Sequence, residues 1–113
     1  MNINTPLYYD IKIAEGSTFV QENLMQYNNS AIDFTGYTAE MYIAFSDTDS
    51  TTTNKSSWVT FSVDYDRFII TIPASFTSAP TYYNYKYNII LTDTNGIKYN
   101  VLTGNLSIIR IIN

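Results

Sequence analysis

The feature that most constrains this chain is an alternation of apolar and polar residues with period two, recurring from end to end. It is clearest over Tyr82 to Thr92. There Tyr83, Tyr85, Tyr87, Ile89 and Leu91 fall on one side, and Asn84, Lys86 and Asn88 on the other. Successive side chains of a strand point to opposite faces, so this spacing specifies a strand with one buried face rather than a helix. Thr38 to Phe45 repeats the pattern, with Ala39, Met41, Ile43 and Phe45 expected on the buried face.

The remaining runs are Leu7 to Ile13, Thr18 to Tyr27, Trp58 to Val63, Phe68 to Ile72, Ile97 to Leu102 and Leu106 to Ile112. Turn chemistry separates them. Asp93-Thr94-Asn95-Gly96 predicts a hairpin, because Asn-Gly tolerates the positive φ such turns require. Asp64 to Arg67 predicts a tight turn, and Thr103-Gly104-Asn105 a bend. Ile32 to Tyr37 forms a kinked segment through Gly36. Pro73 to Pro80 predicts a short helical turn crossing between sheets, with Phe76 plugging one end of the core. About eight short strands at this spacing imply one antiparallel domain over residues 1–113, a sandwich or a small barrel. Phe19, Met41, Ile43, Phe61, Ile70, Tyr85, Tyr87, Ile89, Leu91, Val101 and Leu106 are the expected core.

Composition narrows the function. There is no His and no Cys, which removes the usual nucleophile–base pairs and most transition-metal sites. Net charge is −4 and the six Lys and Arg are scattered singly, so a phosphate-binding footprint is not expected. No apolar run approaches membrane-spanning length. Met1 to Asn4 has neither a basic region nor an apolar core, so no signal peptide is expected. The partners anticipated are therefore neither nucleic acid, nor membrane, nor a small-molecule substrate, and no cofactor is anticipated.

Three constellations offer chemistry. Asp64 and Asp66 are a carboxylate pair of glycosidase type, but two residues apart in a turn they read as turn formers. Asp47 and Asp49 offer oxygen ligands to Ca²⁺, yet no spaced Glu or Gly accompanies them. Trp58 near several Tyr suggests a sugar-stacking platform, against the plainer reading that it caps the core. Exposed, it would favour a carbohydrate-binding module; buried, a protein-binding role. Ser46 to Ser57 forms a long polar loop without an apolar anchor, and loops of this length are usually functional or disordered. Its Ser46, Asp47, Thr48, Asp49, Thr51, Asn54 and Lys55 are the candidate protein-binding residues, through hydroxyl, carboxylate, amide and ammonium groups.

Two stretches resemble a known family. Gly16-Ser17-Thr18-Phe19, followed by Ile32-Asp33-Phe34-Thr35-Gly36-Tyr37, is similar to the opening half of small immunoglobulin-like domains in tailed-phage virion proteins. The closing half resembles Tyr85 to Asp93, then Gly96, then Val101 to Ile108. The chain departs from the family at Asn88, where an Asp is usual. The resemblance implies an immunoglobulin-like sandwich of seven to nine strands, no catalytic residues, and a place in the virion, assembled in the host cytoplasm. It also implies a structural role, bound to the major capsid protein or another virion protein. The chain stops at Asn113, directly after its last strand, without the extension of fibre and baseplate members. The expected branch is thus an auxiliary or decoration protein of the capsid, with a tail or baseplate adaptor as the alternative. Enrichment in Asn, Ile and Tyr resembles AT-rich phage genomes, such as those of crAss-like phages.

Overall fold

A computed structural model describes residues 7–27, 30–45, 52–78, 80 and 82–110. Its strands are β1 (Leu7–Tyr8), β2 (Ile11–Ala14), β3 (Phe19–Leu24), β4 (Gln26–Tyr27), β5 (Ser30–Ala31) and β6 (Thr38–Ala44). β7 (Thr53–Asn54), β8 (Val59–Phe61), β9 (Arg67–Ile72), β10 (Asn84–Thr92) and β11 (Lys98–Ile109) follow. Helix is confined to a 3-10 turn at Ser56–Trp58 and to α1 (Ala74–Thr77) among the described residues. The expected helical turn after Pro73 is therefore present.

One sheet runs β1-β11-β10-β6-β7 with β2 also on β11, and a second runs β3-β9-β8. These orders correspond to the A′GFCC′ and BED sheets of an immunoglobulin-like sandwich. A tyrosine corner accompanies them, because Tyr82 N–H donates to the Tyr85 hydroxyl at 3.2 Å, at the entry to β10.

The inner faces of both sheets share one core. Ile11, Met41, Ile70, Ile89, Leu91 and Leu106 are fully enclosed in it. Two aromatic clusters close its ends. At one end Phe34 meets Tyr37, Phe61 and Phe68 at centroid distances of 5.3, 5.6 and 6.2 Å. At the other, Phe76 packs between Trp58 (4.9 Å) and Tyr85 (5.4 Å), plugging the core as its place in the sequence suggests. Each buried aromatic contributes roughly 1.5–3 kcal/mol through the area it removes from water. The expected core residues are all buried except Phe19 and Phe61, which pack against the core while partly exposed.

Several sequence expectations need correction. The first run is not one strand, and it does not pair antiparallel. β1 and β2 both run parallel to β11, in one register from Leu7↔Leu102 to Ile108↔Ile13. The chain enters beside its own last strand, with the whole domain as crossover, so no hairpin forces an antiparallel pair. The run breaks at Tyr9-Asp10, where the Asp10 carboxylate rather than a main-chain carbonyl accepts from Asn105 N–H (3.1 Å). Thr103 to Asn105 does not end a strand either, since β11 continues through Gly104.

Alternation also fails at a bulge. Ile89 pairs with Leu102 but Ile90 with Asn100, so Val101 is an extra residue. Val101 and Leu102 are consequently both buried although adjacent. Phe45 and Val63 lie past the ends of their strands and are exposed. Trp58 belongs to the 3-10 turn ahead of β8 rather than to a strand.

Of the four glycines, Gly104 permits the closest approach of another backbone. A Cβ there would overlap the Tyr9 carbonyl oxygen. That oxygen accepts from the Tyr87 hydroxyl at 2.6 Å, and burial holds the Tyr87 hydroxyl far above its ordinary pKa, so it remains a donor. Gly104→Ala is expected to cost about 2 kcal/mol or more, as overpacking against fixed backbone does. Gly16 has φ 83 but open space around its missing Cβ, and Gly16→Ala should cost only about 1 kcal/mol. Urea denaturation of the two variants checks this. Equal losses would show that the Tyr9 contact does not limit substitution.

Candidate functional site

Of the seven loop residues singled out from the sequence, Ser46, Asp47, Thr48, Asp49 and Thr51 lie outside the described residues. Asn54 and Lys55 are described, and both serve the fold. Asn54 pairs with Tyr42 across β6 and β7, and its side-chain oxygen accepts from Ser56 N–H at 2.8 Å. Lys55 N–H donates to the Met41 carbonyl (2.7 Å), while Met41 N–H donates to the Ser56 hydroxyl (3.1 Å). The Lys55 ammonium stands 5.1 Å over the Trp58 ring and 5.4 Å over Phe76. Contacts of this kind contribute about 0.5–1 kcal/mol when exposed. The carboxy-terminal half of the loop is thus anchored, contrary to its expected lack of an anchor. Its anchors are main-chain bonds and a cation, which apolarity alone does not reveal.

Trp58 is 8% exposed and packs edge-on against Phe76. It caps the core and offers no platform to a sugar. Asp66 is held by Arg67 and by the Ser62 hydroxyl, so the Asp64/Asp66 pair is built as a turn. Among the described residues no group of three or more carboxylates gathers to hold a metal ion.

The structure instead brings together a groove of about 200 Å³ beside Phe45, the residue where the polar loop begins. Asp10 comes from the break between β1 and β2, Lys12 from β2, Asn84 and Lys86 from β10, and Asn105 and Ser107 from β11, with the exposed Phe45 ring at one edge. The register places Ser107 opposite both Lys12 and Asn84, which aligns these polar groups in a row. Phe45 stacks on Tyr82 at 4.8 Å, and the two are 48% and 46% exposed. Ser107 Oγ donates to Asn84 Oδ1 (3.1 Å), and Asn105 Nδ2 donates to the Tyr8 hydroxyl (2.7 Å) and to Asp10 Oδ1 (3.2 Å).

Asn105 N–H, assisted by Tyr8, the Asn105 amide and the Lys12 charge, holds the Asp10 carboxyl below its ordinary pKa against some desolvation. The groove thus carries lysine, aspartate, amide and hydroxyl groups beside the exposed Phe45 ring. Its polar groups are hydrogen-bond donors and acceptors with charge of both signs. Sequence reasoning placed Asn84 and Lys86 on an outer face but missed the groove, which depends on register between strands distant in sequence.

No protein-family model matches the chain, and no curated protein matches its sequence. Among solved structures it is similar to the extracellular domain of the voltage-gated sodium channel beta4 subunit, described as a parallel homodimer that explains a role in cell–cell adhesion. The identity is 10%, each chain is covered over 99% of its length, and the TM-score is 0.44.

Stability should fall in acid. The carboxyls of Asp10, Asp33 and Asp66 are lowered chiefly by hydrogen bonds from Asn105, Thr35 and Arg67 respectively. A group whose folded pKa is depressed stabilises the fold above its unfolded pKa. That contribution is lost as pH falls through the folded value. The urea midpoint should therefore hold from pH 7 to about 4, near the unfolded value for Asp, and drop below it. Asp10→Asn, which keeps an acceptor without a titrating proton, should flatten the drop. An unchanged profile for that variant would remove Asp10 from the acid response.

Proposed function

We propose that the domain is a non-enzymatic structural protein of a tailed-phage virion, an auxiliary or decoration protein that binds the capsid shell. The observation that carries this reading is the resemblance of its two halves to immunoglobulin-like virion domains. Those stretches fall on the β2–β3 crossover, the approach to β6, and the β10–β11 hairpin. They frame the sheet that bears the groove. Burial of Trp58 supports protein binding over sugar binding, and the row from Lys12 to Asn84 offers a polar, pre-ordered surface to a neighbour. The major capsid protein is the intended partner, in the virion.

The test is binding of purified protein to assembled capsids, read by co-sedimentation and by cryo-EM of the particles. Saturable occupancy at a fixed lattice position is the expected result. Removing Thr48 to Thr51 spares the anchored segment Thr53 to Trp58. Because loop length costs stability slowly, the melting temperature should barely move. Occupancy should fall if the loop holds the capsid, and unaltered occupancy would make it a bystander. Protein that binds tails and never capsids would overturn the capsid assignment in favour of a baseplate adaptor.

A further inference from the structure

Asn-Gly occurs once in the sequence, at Asn95-Gly96, in the exposed turn between β10 and β11. That pair carries latent chemistry. The carboxamide of an asparagine lies one ring closure from the next main-chain nitrogen, and asparagine is a thermolabile residue. A Cβ on the following residue hinders the closure, and glycine has none. Nothing stands within 4 Å of the place a Gly96 Cβ would take. Water and base therefore reach both reacting groups.

The fold holds this reaction back. Gly96 N–H donates to the Asp93 carbonyl (3.1 Å), and Asp93 N–H to the Ile97 carbonyl (2.9 Å). Asp93 Oδ1 accepts from Asn95 N–H (2.9 Å) and from Ile97 N–H (3.0 Å). The attacking nitrogen is thus committed to a main-chain acceptor, and the residues on both sides of it are tied to one carboxylate. Attack requires these bonds to open. Exposed turns open locally at a lower free energy than the core. We infer that Asn95 is a modification site, where the side chain deamidates spontaneously through a cyclic imide whenever the Asp93 clamp opens.

Gly96 N gives its proton to base and attacks Asn95 Cγ. The new C–N bond closes the imide, the Cγ–Nδ2 bond breaks, and Nδ2 leaves as ammonia with a proton returned to it. Water then opens the ring. Addition at Cγ breaks its bond to Gly96 N and gives aspartate. Addition at the Asn95 main-chain carbonyl carbon breaks the other C–N bond and gives isoaspartate, with the chain routed through Cβ. Nothing is oxidised or reduced. Aspartate adds a negative charge beside Asp93. Isoaspartate also adds an extra main-chain atom to a turn closed by the bonds to Asp93. Thr94 faces Gly36, which links this turn to the segment that carries Phe34. The inference does not depend on the capsid reading.

The test incubates the protein in mildly alkaline heavy-oxygen water, native and in urea. The tryptic peptide from Tyr87 to Lys98 is then read by mass spectrometry with fragmentation. That peptide also holds Asn88, inside β10, as an internal control. The expected result is heavy oxygen at Asn95 and not at Asn88, entering the native protein at least about tenfold more slowly than the unfolded chain. Asp93→Ala removes the side-chain clamp and should raise the native rate toward the rate in urea. Asp93→Asn keeps an acceptor oxygen and should not. Gly96→Ala, compared in urea where folding plays no part, should slow labelling several-fold. The isoaspartate form, separated by ion exchange, should melt below Asn95→Asp, which adds the charge alone. Label that never enters Asn95 of the native protein overturns the inference. Equal native and urea rates overturn the clamp, as does a folded Asp93→Ala that labels no faster than wild type. If Asp93→Ala does not fold, the wild-type ratio of native to urea rates decides.

Discussion

The fold depends on how closely the amino-terminal strand approaches β11. β11 holds β10 on one side, antiparallel, and β1 and β2 on the other, parallel. Parallel pairing to a chain's own terminal strand has no hairpin to set its register. Here register is fixed by side chains. Gly104 leaves room for the Tyr9 carbonyl, the Tyr87 hydroxyl satisfies that carbonyl from β10, and Asp10 replaces the missing ladder acceptor for Asn105. A slip of one residue would push a Cβ into backbone and turn Ile11 and Ile13 out of the core. The amino-terminal strand, β10 and β11 are therefore locked by Gly104 and Tyr87 at the Tyr9 carbonyl and by Asp10 at Asn105.

Immunoglobulin domains commonly bridge their sheets by a disulfide between the second strand and the sixth. This chain has no Cys, and β3, in the place of that second strand, turns Phe19, Gln21 and Asn23 inward, none fully buried. Aromatic packing at the two ends takes over the bridging. The Phe34 cluster draws residues from the loop before β6 and from β8 and β9. The Trp58–Phe76–Tyr85 cluster joins the 3-10 turn, α1 and β10. Between them lies an aliphatic middle of Ile, Leu and Met. Stability resting on buried area needs no oxidising compartment. It also makes the fold tolerant of single losses, because no one bond carries the link.

The sandwich was legible because alternation, turn chemistry and length act locally. Tyr83 to Leu91, Asn95-Gly96 and the Pro73 turn each announce their structure within a few residues. What escaped the sequence depends on distant neighbours. Phe34 sits in a kinked segment with no period, and becomes core only because Phe61 and Phe68 meet it from the other sheet. The bulge at Val101 buries two consecutive residues, which a strict alternation forbids. Lys55 and Asn54 look like loop polarity, yet their roles come from Met41 and Trp58. The groove was illegible for the same reason, since Lys12, Asn84 and Ser107 become a row only through register between strands far apart in the chain.

Order at the two ends bears on where binding can occur. The aromatic clusters that stand in for a disulfide also make both ends rigid. Phe45 and Tyr82 extend the Trp58 cluster outward to the rim of the groove. Phe34 extends its own cluster to the main chain of Tyr65. The outer rims at both ends are therefore direct continuations of the core. Along the sheet faces polar side chains stand beside exposed apolar ones such as Val20 and Leu24, and the Glu22–Arg67 and Glu40–Lys98 pairs contribute little. A domain built this way concentrates its packing at the two ends of its long axis.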